Sequence, residues 1–438
     1  MSAEHVSPGP AVDPPTATTK QAGRRLIGID AARGLALIGL MAIHLFPSAD
    51  EDTGEPTLAW TLFSGDSAAL FALLAGVGLA LSTGASAPHR GRRMTADRAG
   101  LVVRAVLIGI VGMVVAAILP WDPPAYGILL YYAVFFLLAI PFLSLGTRAL
   151  FASAAGFGLV TPILIQRLGP TLPESSDYNH TVVTVLTEPL ATASELLLTG
   201  SYPALAYMTY LLAGLGLGRL DLRSPRIQAL IAGVGAGLAV LANLLSHLLL
   251  YAAGGYQALL ATDEMSQAGL DEALVFGPDV LPADSGWWLA IATPHTNMPL
   301  ALAASLGISL LVLGVFLLLA ALARRWLAPL AAMGAMTLTL YTAHLLALAP
   351  EVHYEEPGLW FGLHLAAAGV FAWFWHRRFG KGPLEHVVSH TTQGVRAAVT
   401  DKTVAGTVQV SPAGPTGAPG DATSQHHPGR PGAGPGSS

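Results

Sequence analysis

Long apolar runs separated by short polar segments fill the sequence from about residue 24 to about residue 390. Each run has about 17 to 25 residues, the length with which an α-helix crosses about 30 Å of hydrocarbon. The runs lie at 30–47, 67–84, 100–119, 127–146, 149–166, 202–218, 228–252, 298–322, 328–348 and 358–375. The pattern predicts an all-α, polytopic integral membrane protein with about ten transmembrane helices.

The composition agrees with a membrane protein. Of the 438 residues, 53% are hydrophobic and only 11% are charged, whereas charged residues make up about a quarter of a soluble domain. The sequence contains no cysteine, which excludes disulfides, thiolate metal sites and a cysteine nucleophile and leaves histidine and oxygen chemistry. The lipid bilayer is the expected surrounding, and no nucleic-acid partner is predicted.

The charged residues of the connecting segments alternate between two sets of loops. Basic residues follow every second run; they are Arg90, Arg92, Arg93, Arg98, Arg148, Arg219, Arg223, Arg226, Arg324, Arg325, Arg377, Arg378 and Lys381. The intervening loops are acidic, with Arg167 as their only basic residue. Because Lys and Arg gather on the cytoplasmic side of membrane proteins, we predict that both termini are cytoplasmic.

The two ends of the chain differ from the apolar middle. Residues 1–23 are rich in Pro, Thr and Ala, so we predict a disordered leader. A cleaved signal peptide is not expected, because the next apolar run contains Asp30 and Arg33 and no small-x-small cleavage site follows it. Residues 391–438 are predicted to form a disordered, Pro/Gly-rich cytoplasmic tail, which leaves 24–390 as the membrane domain.

Two long loops and several aromatic residues are expected near the outer surface. The loops at about 167–200 and 254–296 are too long to be turns, and such loops commonly carry function or are disordered. We interpret the aromatic residues as anchors at the membrane surface. They are Trp287, Trp288, Tyr126, Tyr131 and Tyr132.

The first apolar run carries three ionisable residues, Asp30, Arg33 and His44. Eleven steps of about 100° bring Arg33 and His44 to within about 20° of each other on one helix face, about 16 Å apart along the axis. Ionisable residues inside a membrane are costly, so each is a candidate for function. Two interpretations of Asp30 and Arg33 stay open. Either Asp30 pairs with Arg33, or Asp30 caps the helix while the Arg33 side chain extends to the membrane interface.

Other runs carry further candidates. Arg104 in the third run needs an anionic partner, from the protein or from a ligand. Asp66, just before the second run, either caps its helix or orients a partner. His344, one turn after Tyr341 in the ninth run, is a candidate active-site or acceptor-binding residue.

The remaining histidines receive simpler interpretations. His295 and Asn297 are expected to face outside, where an acceptor would bind. For His247 and His364, each within a long apolar run, we predict hydrogen bonds between helices. No metal site is predicted.

Five segments resemble one family in the same order along the chain. They are Asp30-Ala31-Ala32-Arg33-Gly34 through His44; Phe63-Ser64-Gly65-Asp66-Ser67 to Gly78; Tyr202-Pro203 with Gly218-Arg219-Leu220-Asp221; Tyr341 to His344; and Gly382-Pro383-Leu384-Glu385. Together they resemble the transmembrane acyltransferase superfamily, which includes the type 3 acyltransferases, and in particular its bacterial heparan-alpha-glucosaminide N-acetyltransferase-like branch. The resemblance covers nearly all of residues 24–390.

This resemblance implies acyl transfer, with acetyl as the expected group, from cytoplasmic acyl-CoA to an extracytoplasmic sugar or glycolipid of the cell envelope. The expected location is the cytoplasmic membrane of a bacterium. The resemblance also implies that Arg33 holds the donor and that His44 is the catalytic histidine. The lysosomal members place that histidine in the loop between the first two spans. This chain has no histidine between Leu45 and Pro88, so the role falls on His44 or is absent.

We therefore predict a site with a donor end and an acceptor end. The CoA phosphates are expected at Arg33, Arg104 and Arg98, with Asp30 beside Arg33, while the pantetheine arm carries the thioester towards His44. His44 acts as a general base or takes the acyl group itself. Asp66 or Tyr341 is expected to fix its tautomer, with His344 as a further active-site residue.

Two other functions stay open. A transporter or exporter of a lipid or sugar intermediate also needs charges inside the membrane, but transporters commonly contain internal repeats and the sequence shows none. A catalytically inactive membrane scaffold is the third interpretation.

Overall fold

The computed structural model describes residues 26–262, 264–278 and 280–401. Within these residues the chain forms helices and no β-strand, apart from a single bridge between Ala49 and Pro56. The all-α prediction is confirmed. The predicted leader, residues 1–23, lies outside the described residues, as does the predicted tail beyond Asp401.

The first half of the described chain contains nine α-helices. They are α1 (Ile27–Leu45), α2 (Leu58–Phe63), α3 (Asp66–Ser82), α4 (Gly91–Ala116), α5 (Leu129–Ala139), α6 (Thr147–Leu168), α7 (Val182–Thr187), α8 (Pro189–Ser194) and α9 (Ala204–Leu217). A 3₁₀ turn over Ile140–Ser144 extends α5, and a π-helical turn over Glu195–Thr199 extends α8.

The second half, again within the described residues, contains eight. They are α10 (Pro225–His247), α11 (Gly255–Leu260), α12 (Gln267–Phe276), α13 (Pro299–Leu322), α14 (Arg324–Gly334), α15 (Thr337–Leu348), α16 (Pro357–Phe379) and α17 (Pro383–Asp401). A π-helical turn over Leu248–Ala252 extends α10, and Gly286–Ala290 form a 3₁₀ turn.

Seven helical segments of the described chain are long and apolar enough to cross a membrane, and two bent pairs bring the number to nine. The bent pairs are Pro189–Thr199 with Ala204–Leu217, at 47°, and Arg324–Gly334 with Thr337–Leu348, at 62°. The segment Leu129–Ser144 is apolar but shorter than a full span. The chain is therefore a multi-pass membrane protein, with a helix or a bent pair at each of the ten predicted positions.

Glycines allow neighbouring helices to pack backbone against backbone. A Cβ atom on Gly235 of α10 would lie 2.6 Å from the carbonyl oxygen of Gly307 on α13. Gly76 of α3 likewise lies against the backbone of Leu211 on α9, and Gly214 of α9 lies against the backbone of Leu73 on α3. At these positions small residues allow close helix packing, whereas Gly233 has open space beside it.

α14 and α15 meet at a sharp break at Ala335 and Met336. The break follows Gly334, where the backbone of α14 touches α1: a Cβ there would lie 2.8 Å from the amide nitrogen of Gly34. A side chain at this position would push the two helices apart. The break gives α15 its own N-terminus, whose backbone N–H groups need partners.

Three residues that we interpreted as surface anchors are instead inside the protein. Trp288 is 1% exposed and belongs to a small second core, which the long loop forms with Leu250 and Ala301. Tyr131 is 5% exposed and packs against Tyr202, with ring centroids 5.6 Å apart. Tyr132 lines the cavity that is described below. The anchor interpretation is wrong for these residues because their rings fill space between helices.

α17 continues to Asp401 and buries Val388. The sequence pattern predicted a disordered tail from residue 391 onwards. Residues 391–401 are instead helical. Leu384, Val388 and Val395 recur at helical spacing and give α17 an apolar face.

Candidate active site

A cavity of about 410 Å³ lies near the basic loops, between α1, α3, α4, α5, α14, α15 and α17. Polar and charged side chains line its outer part, among them Ser82 and Arg396. Apolar side chains line its inner part, including Leu40 and Ile128. A ligand with an anionic head and a long, weakly polar arm fits this arrangement.

Arg33 is fixed at the cavity wall by two neighbours. Its Nη2 donates a hydrogen bond to the carbonyl oxygen of Leu74 at 3.0 Å, and its Nη1 lies 3.5 Å from Oδ1 of Asp30. Leu26 rather than Asp30 is the N-cap residue of α1. The structure therefore supports the pairing interpretation of Asp30, and this pairing holds a positive charge at the cavity.

Arg104 and Tyr132 bring unpaired polar atoms to the same cavity. The guanidinium of Arg104 lies over the Phe136 ring, 4.9 Å from its centroid. Its buried Nε atom and the buried hydroxyl of Tyr132 have no hydrogen-bond partner among the described residues. Buried polar atoms without a partner are uncommon, so both groups are available to a ligand.

The outer part of the cavity is built around the carboxylate of Asp97, which is 1% exposed. Arg396 of α17 pairs with one of its oxygens, and Nδ1 of His89 lies 2.6 Å from the other. Arg396 also donates to the carbonyl oxygen of Ser82 at 3.1 Å. These contacts attach α17 to the ends of α3 and α4.

The first turn of α15 receives its cap from Glu385 of α17. The Glu385 carboxylate accepts hydrogen bonds from the backbone N–H groups of Leu338, at 2.7 Å, and Thr339, at 3.2 Å, and from the Thr339 hydroxyl at 2.6 Å. A carboxylate stabilises a helix N-terminus by these bonds and by its charge. The backbone N–H groups that the break exposes at the start of α15 thus find hydrogen-bond acceptors within the protein.

Three histidines from three helices lie beyond the inner part of the cavity. Nδ1 of His44 on α1 is 3.2 Å from Nε2 of His344 on α15. Nδ1 of His344 is in turn 2.7 Å from Nδ1 of His364 on α16. The predicted hydrogen bond of His364 to another helix is confirmed. His344 is 3% exposed, whereas His44 and His364 are partly exposed.

Tyr341 lies between the cavity and these histidines. Its side chain lines the cavity, and its ring centroid is 6.2 Å from that of His44. Leu40, one turn before His44 on α1, also lines the cavity. The cavity therefore follows α1 from Arg33 towards His44.

Asp66 lies elsewhere, at the start of α3, where it faces Ser305 of α13 and Tyr210 of α9. His344, and not Asp66, is the residue that contacts Nδ1 of His44. Sequence spacing does not reveal this, because the neighbours of His44 are set by the packing of α15 and α16.

His295 lies in the loop before α13, with its ring 6.0 Å from that of Trp60 and 6.4 Å from that of Tyr202. Burial lowers its pKa to about 4, so it is neutral at neutral pH.

Several other predicted positions lie away from the site. Arg98, which we expected at the CoA phosphates, is exposed and does not line the cavity. Arg396 and Lys381 line it instead. His247 is exposed and packs against Tyr251. His386 and His390 stack one turn apart on α17, but no group of three potential metal ligands occurs among the described residues.

Arg219, which lies in one of the family-like segments, has a structural role. It is buried and donates hydrogen bonds to the carbonyl oxygens of Ala85, at 2.8 Å, and Leu143, at 2.7 Å. It therefore ties the segment after α3 to the end of the 3₁₀ turn that follows α5.

Sequence reasoning missed four residues that line the cavity: Tyr132, Lys381, Glu385 and Arg396. Arg396 and Glu385 belong to α17, whose helical apolar spacing was the available signal. Tyr132 gave no separate signal, because its position at the start of an apolar run is equally typical of an interfacial tyrosine.

The fold and the site define a multi-pass membrane protein with a charged cavity in its helical bundle and a histidine chain beyond that cavity. A family model described as heparan-alpha-glucosaminide N-acetyltransferase, catalytic, matches residues 25–251, just over half of the 438 residues. The chain belongs to this family of membrane-embedded acetyltransferases. The matched segment contains Arg33, His44 and Arg104. No curated protein matches the chain.

Proposed function

We propose that this protein transfers an acetyl group from cytoplasmic acetyl-CoA to a sugar or glycolipid of the cell envelope on the opposite side of the bacterial cytoplasmic membrane. One observation carries the proposal. Arg33 and Leu40 line the cavity, and His44 follows one turn later on the same helix. A donor held at Arg33 therefore extends along α1 towards His44.

The charges of the cavity suit the donor. Its lining contains four cationic side chains, Arg33, Arg104, Lys381 and Arg396, against the two acids Asp97 and Glu385. Phosphate groups bind where arginines supply planar, charged donors. Acetyl-CoA carries phosphates and is the donor that acetyltransferases of this family generally use. Arg33 and Arg104 would hold the phosphates, with Arg396 and Lys381 nearer to the nucleotide.

The distance along α1 suits the pantetheine arm. α1 is one continuous helix over Ile27–Leu45, so the eleven steps from Arg33 to His44 span about 16 Å at about 1.5 Å per residue. This length is similar to that of an extended pantetheine arm. Arg33 then lies at the donor end and His44 at the acceptor end.

His44 acts as the general base. Its Nδ1 is engaged with His344, and no hydrogen bond joins its Nε2 to any residue in the described part of the chain. Nε2 accepts the proton of an acceptor hydroxyl or amine while the acceptor oxygen or nitrogen bonds to the thioester carbon. The carbon–sulfur bond breaks, and CoA leaves with the electron pair.

The test uses sealed membrane vesicles, radiolabelled acetyl-CoA, and glucosamine as the first acceptor, because the family name refers to a glucosaminide. We expect transfer when donor and acceptor are on opposite sides, with the donor at the basic face. His44→Ala should lower the rate by about 100-fold or more and leave donor binding intact.

Equal rates for wild type and His44→Ala would contradict the role of His44. Movement of unmodified glucosamine or lipid without cleavage of the thioester would favour a transporter. Acetyl label on the protein itself that neutral hydroxylamine removes would favour acylation of His44 over base catalysis, since an acyl-imidazole is readily cleaved and the chain has no cysteine.

A further inference from the structure

The imidazoles of His44, His344 and His364 form one continuous hydrogen-bonded chain across α1, α15 and α16. The rings of His44 and His344 are nearly parallel, with centroids 5.4 Å apart and planes at 8°. The ring of His364 is almost perpendicular to that of His344, at 86°. Each link joins two nitrogens, so one member of each pair donates and the other accepts.

The chain has only two arrangements in which all three rings are neutral. In the first, Nδ1–H of His44 donates to Nε2 of His344, and Nδ1–H of His344 donates to Nδ1 of His364. In the second, both hydrogen bonds run in the opposite direction, and Nε2 of His44 carries a hydrogen. Only the first arrangement leaves Nε2 of His44 able to accept a proton.

We propose that this chain is a proton relay, in which the acceptor's proton enters at His44 and leaves at His364. The proposal rests on the proposed function and extends it to His344 and His364, which act through His44 as positioning and relay residues. When Nε2 of His44 takes the proton, Nδ1–H of His44 moves to His344. Nδ1–H of His344 then moves to Nδ1 of His364, which holds the positive charge.

The accessibility of the three rings agrees with this direction of transfer. His344 in the middle is 3% exposed, while the two ends of the chain are partly exposed. A buried imidazole that bonds through both nitrogens can pass a proton only along the chain. Trp360, one turn earlier on α16, lies beside His364, with ring centroids 6.3 Å apart.

The proton balance of the whole reaction is then complete. The acceptor loses its proton to His44 and gains the acetyl group, and the thioester carbon exchanges its sulfur for the acceptor atom. The CoA thiolate takes a proton from water in the cavity. Release of the Nε2 proton of His364 to water leaves the chain in its second arrangement, with a hydrogen on Nε2 of His44. The first arrangement returns when Nε2 of His44 gives that proton to water at the acceptor end and Nε2 of His364 takes up a proton from water, which reverses both hydrogen bonds.

The test compares His364→Ala with His364→Gln in the vesicle assay. A glutamine carbonyl accepts the hydrogen bond from His344 and keeps the first arrangement, but it does not carry a proton. We expect both variants to lower kcat by about tenfold or more and to leave the KM for acetyl-CoA unchanged, because His364 does not line the cavity. Added imidazole should restore the rate of the alanine variant.

Two further variants separate the possible results. The double variant His344→Gln/His364→Gln should be no slower than His344→Gln alone, since either change breaks the chain. His247→Gln, at an exposed histidine on α10, should match wild type. A wild-type rate for His364→Gln would overturn the relay, because a hydrogen-bond acceptor would then suffice. If His44→Ala also matches wild type, the proposed function fails; if it is inactive, only the relay fails.

Discussion

Arg396 of α17 pairs with Asp97 of α4 at the outer part of the cavity. The pair joins a helix that follows the last candidate span to the third one, about 300 residues earlier in the chain. Because Arg396, Glu385 and Lys381 also line the cavity, α17 is one of its walls. The cavity therefore depends on a segment that lies outside the spans.

Replacement of Arg396 by alanine should weaken both the fold and donor binding. Among the described residues, Asp97 would keep only His89 as a hydrogen-bond partner for its buried carboxylate, which should lower the free energy of unfolding by about 1 to 3 kcal/mol. Thermal unfolding of the purified protein measures this change. The double variant Asp97→Asn/Arg396→Ala should lose less than the sum of the single variants; strict additivity would show that the pair is not coupled.

Arg33→Gln should raise the Kd for acetyl-CoA by about tenfold or more, because a charge-assisted hydrogen bond contributes about 1.5 to 3 kcal/mol. Equilibrium binding with radiolabelled acetyl-CoA gives the value directly. Arg98→Gln is the matched control, since Arg98 is exposed and the cavity lining does not include it. An equal loss for the two variants would indicate general electrostatic attraction instead of a site at Arg33.

The sequence predicts the membrane helices and their order, because apolar length is decided by the bilayer and not by tertiary contacts. It does not predict the break at Ala335 and Met336. That break depends on the contact of Gly334 with α1 and on the cap that Glu385 provides. Both partners are distant in sequence, so local pattern carries no signal for them.

The candidate site divides in the same way. Arg33 and His44 could be predicted because both lie on one helix, where spacing fixes their relative direction. The proximity of His344 and His364 to His44 could not, since three separate helices bring them together. The sequence left Asp66 and Tyr341 as alternatives for fixing the tautomer of His44, because position along the chain does not decide which helices are neighbours.

Gly334→Ala should destabilise the protein, because the new methyl group would meet the backbone of α1. We expect a loss of about 1 to 3 kcal/mol or more, with reduced activity as α15 shifts. Gly362→Ala on α16 is the control: its Cβ would meet open space, and a helical alanine should be neutral or stabilise by up to about 1 kcal/mol. Thermal unfolding of both variants distinguishes a close contact from an effect of glycine replacement in general.

His295 should make stability depend on pH. Burial lowers its pKa from the ordinary value of 6.5 to about 4, so below pH 6.5 the unfolded chain binds a proton more readily than the folded protein. Its contribution to stability is complete above about pH 6.5 and is lost as the pH falls towards about 4. The unfolding temperature of His295→Gln should therefore fall less than that of wild type between pH 7 and pH 5. His390→Gln, at an exposed position on α17, should behave like wild type; equal losses in all three proteins would contradict the burial of a neutral His295.

Tyr132→Phe should separate binding from stability. The Tyr132 hydroxyl is buried, lines the cavity and has no hydrogen-bond partner among the described residues. Its removal breaks no bond within the protein, so the unfolding temperature should stay the same or rise. The Kd for acetyl-CoA should rise by about two- to tenfold, the effect of one neutral hydrogen bond.

Tyr131→Phe provides the comparison, because Tyr131 packs against Tyr202 and lies outside the cavity lining. The affinity of this variant for acetyl-CoA should match that of wild type. Unchanged affinity in Tyr132→Phe would show that the donor does not reach this hydroxyl.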